Sequence, residues 1–77
     1  MDFKRIIDML ENGNYWVESV KIQRALWVIK LTLRCESSHV KFTTHYPIFE
    51  KFQEDSLKAT ELLQKYGKWE GREYAKA

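Results

Sequence analysis

Three side chains near the middle of the chain, Cys35, His39 and His45, are of the kinds that bind metal ions or act in nucleophilic catalysis. A shared ion would need them within about 2.3 Å of one point. His39 and His45 are six residues apart in a stretch predicted to be a strand. At about 3.3 Å per residue their Cα atoms are roughly 20 Å apart. We therefore expect no metal site and no cofactor.

Catalysis by Cys35 would need an accessible thiol in electropositive surroundings. The alternation of apolar and polar residues around Cys35 predicts instead that it faces the core as a small hydrophobic residue. The chain has no glycine-rich phosphate loop, no Gly-x-Ser-x-Gly motif and no His-Glu-x-x-His motif, and its carboxylates are scattered. We expect a protein that is not an enzyme.

Positive charge is concentrated in the middle of the chain. Residues 19–45 carry five basic side chains and one acidic one, whereas residues 1–18 have a net charge of −2. Basic and hydroxyl residues alternate here with apolar ones, which places them on one face of a sheet. That face is either an ordinary solvated surface or an electropositive site for phosphate or acidic side chains. The candidate partner-binding residues are Lys30, Thr32, Arg34, His39, Lys41, Thr43 and His45.

Period-two patterns predict three strands. In residues 26–35 every odd-numbered position is apolar and is predicted to face the core. Leu26 and Val28 fall on the opposite, polar face. Part of that face is therefore apolar, and we expect it to be covered by another segment or by a partner. After a polar turn at residues 36–38, Val40 and Phe42 are predicted to face the core from a third strand.

The first strand, residues 15–22, has two alternative orientations. Either Trp16, Val20 and Ile22 face the core, which we favour, or Tyr15 and Val17 do. Residues 23 and 24 would form the tip that joins the first two strands.

Helical spacing predicts helices at both ends of the chain. Apolar residues at i, i+3, i+4 and i+7 from Phe3 to Leu10 define the first helix, with Asp2 as N-cap and residues 12–14 as its stop. Pro47 suits the first turn of a last helix that ends at Gly67. This stretch is either one helix or two abutting ones.

These elements predict a single α+β domain over residues 1–77, in the order α-β-β-β-α(α). The expected fold is a three-stranded antiparallel meander with helices packed on one face. Residues 68–77 form either a short helix or a frayed tail. Tyr66, Trp69 and Tyr74 either cover the open end of the core or anchor another chain.

The cysteine content and the hydropathy of the chain indicate its cellular compartment. The single cysteine excludes an intrachain disulfide, and the longest apolar run has five residues, far fewer than the roughly 20 that span a bilayer. We expect a cytoplasmic protein with no membrane partner.

Several stretches resemble the small phage-encoded anti-CRISPR proteins, which inhibit CRISPR effector nucleases. They are the helix from Phe3 to Leu10, Asn14-Tyr15 and Val17 at the first strand, the strand from Val28 to Leu33, and Phe49-Glu50-Lys51-Phe52. The inhibitors concerned mimic DNA with runs of acidic residues. This chain departs from that pattern, since it has 13 basic and 11 acidic residues and a positive sheet. We therefore expect it not to mimic DNA and to bind instead an acidic or guide-RNA-bearing effector surface. No contact residues carry over.

The element order also resembles that of double-stranded-RNA-binding domains, but residues 46–51 have one lysine where that family has a cluster. We predict a non-enzymatic phage or mobile-element protein that binds and inhibits a host defence complex, such as a CRISPR effector in the host cytoplasm, through protein–protein contacts. Two alternatives remain open: a nucleic-acid-binding regulator that uses the basic sheet face, and a homodimeric assembly subunit.

Overall fold

The computed structural model describes residues 1–67. They form α1 (Phe3–Asn12), β1 (Trp16–Gln23), β2 (Val28–Arg34), β3 (His39–His45) and α2 (Phe49–Tyr66). The strands make one antiparallel sheet in the order β1-β2-β3. The predicted α+β meander is therefore confirmed, and residues 49–66 are one helix rather than two. The predictions for residues 68–77 lie outside the described residues.

Both ends of α1 are fixed by local contacts. The Asp2 side chain accepts a 3.1 Å hydrogen bond from the Arg5 backbone N–H, as an N-cap should. At the other end the Gly13 N–H donates to the Met9 carbonyl at 2.9 Å. A Cβ on Gly13 would lie 2.8 Å from that carbonyl oxygen, so the close approach requires glycine. The left-handed residue that redirects the chain is Asn14, with φ of 61°.

Helix α2 packs across β1 and β2 and buries Phe52, Ala59 and Leu62. It begins at Phe49, so Pro47 precedes the helix instead of lying in its first turn. Beyond its last residue, Gly67 pairs with Val17 in a parallel bridge. No helix within residues 1–67 is long and apolar enough to span a membrane.

The core lies between the helices and one face of the sheet. Ile29, Leu31 and Leu33 of β2 have no exposed surface, as the period-two pattern predicted. The other buried apolar residues are Ile6, Leu10, Val17, Tyr46, Phe52, Ala59 and Leu62. Because both helices cover the same side, the opposite face of the sheet has no helix over it within residues 1–67.

Strand β1 contains a bulge that the sequence pattern did not reveal. Val17 pairs with Leu33, but Ser19 pairs with Thr32, so Glu18 is an extra residue between them. The bulge changes which positions face the core, and Val17 is 1% exposed while Trp16 lies opposite Arg34 on the other face. The favoured orientation with Trp16 in the core is therefore wrong, although Val20 and Ile22 do pack against it.

Strand β2 is shorter than expected. Residues 24–27 form a turn, and Leu26, predicted to lie on the polar sheet face, is 59% exposed in this turn. At the other end, Cys35 has left the strand and is partly exposed. The predictions for Leu26 and Cys35 are wrong because only residues 28–34 pair with β1 and β3, whereas the alternation was taken to cover residues 26–35.

Candidate binding site on the sheet

We call the sheet face turned away from the helices the outer face. Strand pairing arranges its residues in four rows across β1, β2 and β3. All seven predicted partner-binding residues lie on it, on β2 and β3. The rows are Trp16, Arg34 and His39; Ser19, Thr32 and Lys41; Lys21, Lys30 and Thr43; and Gln23, Val28 and His45.

Two lysines lie directly opposite each other on this face. Lys21 of β1 pairs with Lys30 of β2, and both are exposed. Like charges in such a pair repel and destabilise the sheet. Within residues 1–67, no carboxylate oxygen lies within 4 Å of the ammonium groups of Lys21, Lys30 or Lys41. In this part of the chain the three lysines therefore have no ion-paired carboxylate, although Glu18 lines the same surface concavity.

Hydroxyl side chains lie between the lysines. Ser19, Thr32 and Thr43 line a shallow concavity of about 280 Å³ together with the three lysines and Glu18. Thr32 is 9% exposed although it lies on the outer face, because its neighbours in the row cover it. A shallow depression with ammonium and hydroxyl donors suits a carboxylate or phosphate presented on the surface of a larger molecule.

Arg34 differs from the lysines because its guanidinium is paired. Its Nε donates to Oε1 of Glu18, the residue that the bulge inserts into β1. This hydrogen bond is the main reason that the pKa of Glu18 lies below its ordinary value. Both side chains are about 40% exposed, so the pair is solvated. Sequence reasoning placed Arg34 correctly but missed Glu18, whose position depends on the bulge.

Ser19 and Lys21 were also missed as members of the site. Their type was visible, since Lys21 belongs to the basic middle of the chain. Their placement was not, because it required the orientation of β1. Only the pairing with Thr32 and Lys30 puts them on the outer face.

The two histidines are far apart in the sheet. His39 pairs with Arg34 in the first row and His45 with Val28 in the last. In the part of the chain that the structure describes, no three His, Cys, Asp or Glu side chains come together as a metal site would require.

The predicted aromatic anchor is only partly described. Tyr66 is partly buried, packs against the core, and donates a 3.0 Å hydrogen bond to Oε2 of Glu11. It therefore links the ends of α1 and α2. Trp69 and Tyr74, the other predicted members, lie outside the described residues.

Cys35 is not the buried hydrophobic residue that the alternation predicted. Its Sγ lies 3.4 Å from the hydroxyl oxygen of Ser38 and 3.8 Å from that of Ser37, in the turn between β2 and β3. Hydrogen bonds from the Ser38 hydroxyl and the Ser37 backbone lower the pKa of the thiol to about 6.

Comparison with known proteins adds no relative. No protein-family model matches the chain, and no curated protein or solved structure shows significant similarity to it. The resemblance to anti-CRISPR proteins therefore stays a prediction.

Proposed function

We propose that this domain is a non-enzymatic binding protein that docks the outer face of its sheet onto an acidic surface of a protein partner. The supporting observation is the cross-strand pair of Lys21 and Lys30, without a carboxylate within 4 Å of either ammonium group in residues 1–67. If this face were only a solvated surface, opposite charges at these two positions would make the sheet more stable than two lysines do. An acidic partner removes the repulsion when it binds.

The outer face suits a protein partner better than a single-stranded nucleic acid. Single-stranded nucleic acids bind to sheets through aromatic side chains on which bases stack. Among the twelve residues of the outer face the aromatic side chains are Trp16, His39 and His45, which lie in the first and last rows and not beside the central lysines. Acidic side chains of a protein need only the ammonium and hydroxyl donors that the centre of the face offers.

The resemblance to anti-CRISPR proteins names the first partner to test, a type II CRISPR effector in the host cytoplasm. By covering an acidic surface that the effector needs free, the domain would inhibit it. The second candidate function is nucleic-acid binding, because Lys21, Lys30 and Lys41 would bind phosphate groups as well as carboxylates.

The test compares two triple variants that change the net charge equally. Lys21→Gln, Lys30→Gln and Lys41→Gln alter the outer face; Lys4→Gln, Lys58→Gln and Lys65→Gln alter exposed lysines of the helices. We expect the wild type and the helix variant to bind poly-L-glutamate and to inhibit guide-loaded effector cleavage, and the outer-face variant to lose both.

Equal binding by both variants would reject the outer face as the site. Duplex and single-stranded oligonucleotides are measured in parallel at several salt concentrations. Oligonucleotide binding that falls steeply with salt and is lost in the outer-face variant would replace the protein partner by nucleic acid.

A further inference from the structure

Four exposed apolar side chains lie at one end of the sheet, and we call them the apolar tip: Leu26, Trp27, Ile48 and Phe49. Their exposed fractions are 59%, 36%, 57% and 44%. The first two come from the turn between β1 and β2, and the last two from the start of α2. The rings of Trp27 and Phe49 are 5.7 Å apart, so the two segments form one surface.

The backbone at Trp27 is unusual for its residue type. The Leu26 N–H donates to the Gln23 carbonyl at 3.2 Å, and Trp27 follows with φ of 54°. Turns of this kind favour Gly or Asn at the left-handed position, and a bulky residue there is strained. The Trp27 carbonyl holds this conformation by accepting a 2.9 Å hydrogen bond from the Tyr46 N–H. Residues in such conformations occur preferentially in binding sites.

The apolar tip adjoins the outer face. Trp27 precedes Val28, and Val28 pairs with His45 in the last row of the face. Lys30, in the next row, is two residues further along β2, a distance of about 7 Å. The tip and Lys30 are therefore close enough for a single short segment of a partner to contact both.

We propose that the apolar tip is the hydrophobic anchor point of the interface, and that its occupant is a protein segment carrying an apolar side chain a few residues from carboxylates. This inference rests on the proposed function, since the carboxylates would bind the outer face. A second copy of the chain fits poorly, because a two-fold interface through the tip and the outer face would bring the same lysines together. Charge complementarity therefore favours an acidic, apolar partner segment.

The experiment uses two polymer probes of equal length. Poly-L-glutamate offers carboxylates alone, and a glutamate-rich random copolymer of L-glutamate and L-tyrosine adds apolar rings. We expect the wild type to bind the copolymer about tenfold more tightly, as one interface anchor typically contributes. In amide NMR spectra the copolymer should shift signals of the tip and the outer face, and poly-L-glutamate those of the outer face alone.

The variant Leu26→Ser/Ile48→Ser removes the two most exposed side chains of the tip without touching the buried core. It should bind both polymers equally, at the wild-type affinity for poly-L-glutamate. Leu57→Ser is the matched control, since Leu57 is 64% exposed on α2 outside the tip. It should keep the tenfold preference.

Two results would overturn the inference. The first is equal wild-type affinity for the two polymers; if binding is still lost in the outer-face lysine variant, the proposed function survives and only the role of the tip fails. The second is a concentration-dependent dimer, measured by sedimentation, that Leu26→Ser/Ile48→Ser abolishes, because the tip would then bind a second copy. Unchanged binding of both polymers by the lysine variant would instead reject the proposed function.

Discussion

The phenolic hydroxyl of Tyr46 donates a 2.6 Å hydrogen bond to Oδ2 of Asp55 in the interior of the protein. Asp55 lies in the middle of α2 and is 1% exposed. The amino nitrogen of Met1 is 3.6 Å from the same carboxylate oxygen, and the Lys51 ammonium is 3.5 Å from Oδ1. A buried carboxylate thus joins the start of the chain, the end of β3 and α2.

Removing the phenolic hydroxyl should destabilise the fold. Tyr46→Phe leaves the buried carboxylate of Asp55 without the hydrogen bond from Tyr46, and we expect the free energy of unfolding to fall by about 1.5–3 kcal/mol. Urea denaturation measures the change. Tyr15→Phe, at a partly buried tyrosine, is the control and should change stability by no more than about 0.5 kcal/mol. Equal effects of the two substitutions would show that the bond to Asp55 contributes nothing specific.

The same pair predicts a pH dependence at the alkaline end. Burial, and then the hydrogen bond to Asp55, raise the pKa of Tyr46 above its ordinary value of 10.0. A raised pKa means that the folded state retains the proton more strongly than the unfolded state. Its contribution to stability is therefore complete below pH 10 and declines as pH rises above it. Thermal melting between pH 9 and 11 should show a steeper loss for wild type than for Tyr46→Phe.

Cys35 should react as a thiolate at mildly acidic pH. Its pKa is lowered to about 6, chiefly by the hydrogen bond from Ser38. We expect the rate of alkylation by iodoacetamide to rise with pH and reach half of its maximum near pH 6. Ser38→Ala should move this midpoint to higher pH. A wild-type midpoint near the ordinary cysteine pKa of about 8.5 would contradict the prediction.

Neutralising Glu18 should strengthen binding at the outer face. Glu18→Gln releases Arg34 from its ion pair and adds an unpaired positive charge beside the lysines. We expect poly-L-glutamate to bind about two- to fivefold more tightly, measured by fluorescence anisotropy at low salt. Glu61→Gln changes the net charge equally on the exposed side of α2 and should leave the affinity unchanged. Weaker binding by Glu18→Gln would mean that the ion pair positions the site.

The backbone conformation of Asn14, just after α1, should affect the stability of the fold. Its φ of 61° is tolerated by Asn and Gly but is unfavourable for a residue with an ordinary Cβ. Asn14→Ala should therefore lower the free energy of unfolding by roughly 1 kcal/mol, whereas Asn14→Gly should stay close to wild type. Urea denaturation measures the free energy of unfolding of both variants. An equal decrease in the two would exclude backbone strain as the cause.

Local patterns were sufficient wherever the chain is regular. The alternation in residues 28–34 predicted that Ile29, Leu31 and Leu33 are buried, and that Lys30, Thr32 and Arg34 share the opposite face with residues of β3. The 3.6-residue spacing of apolar side chains located both helices. These predictions succeed because side-chain direction in a regular strand or helix follows from position alone.

Only the tertiary structure decided the remainder. The turn at residues 24–27 sets the register that brings Lys21 opposite Lys30. The bulge at Glu18 reverses the faces of Trp16 and Val17 and brings Glu18 to Arg34. The burial of Asp55 depends on Tyr46 and Met1, which are distant in sequence. The sequence by itself determined that a basic sheet face exists. Strand pairing decided which charges on it lie opposite each other, because the hairpin register and the position of a bulge follow from backbone pairing and periodicity does not locate them.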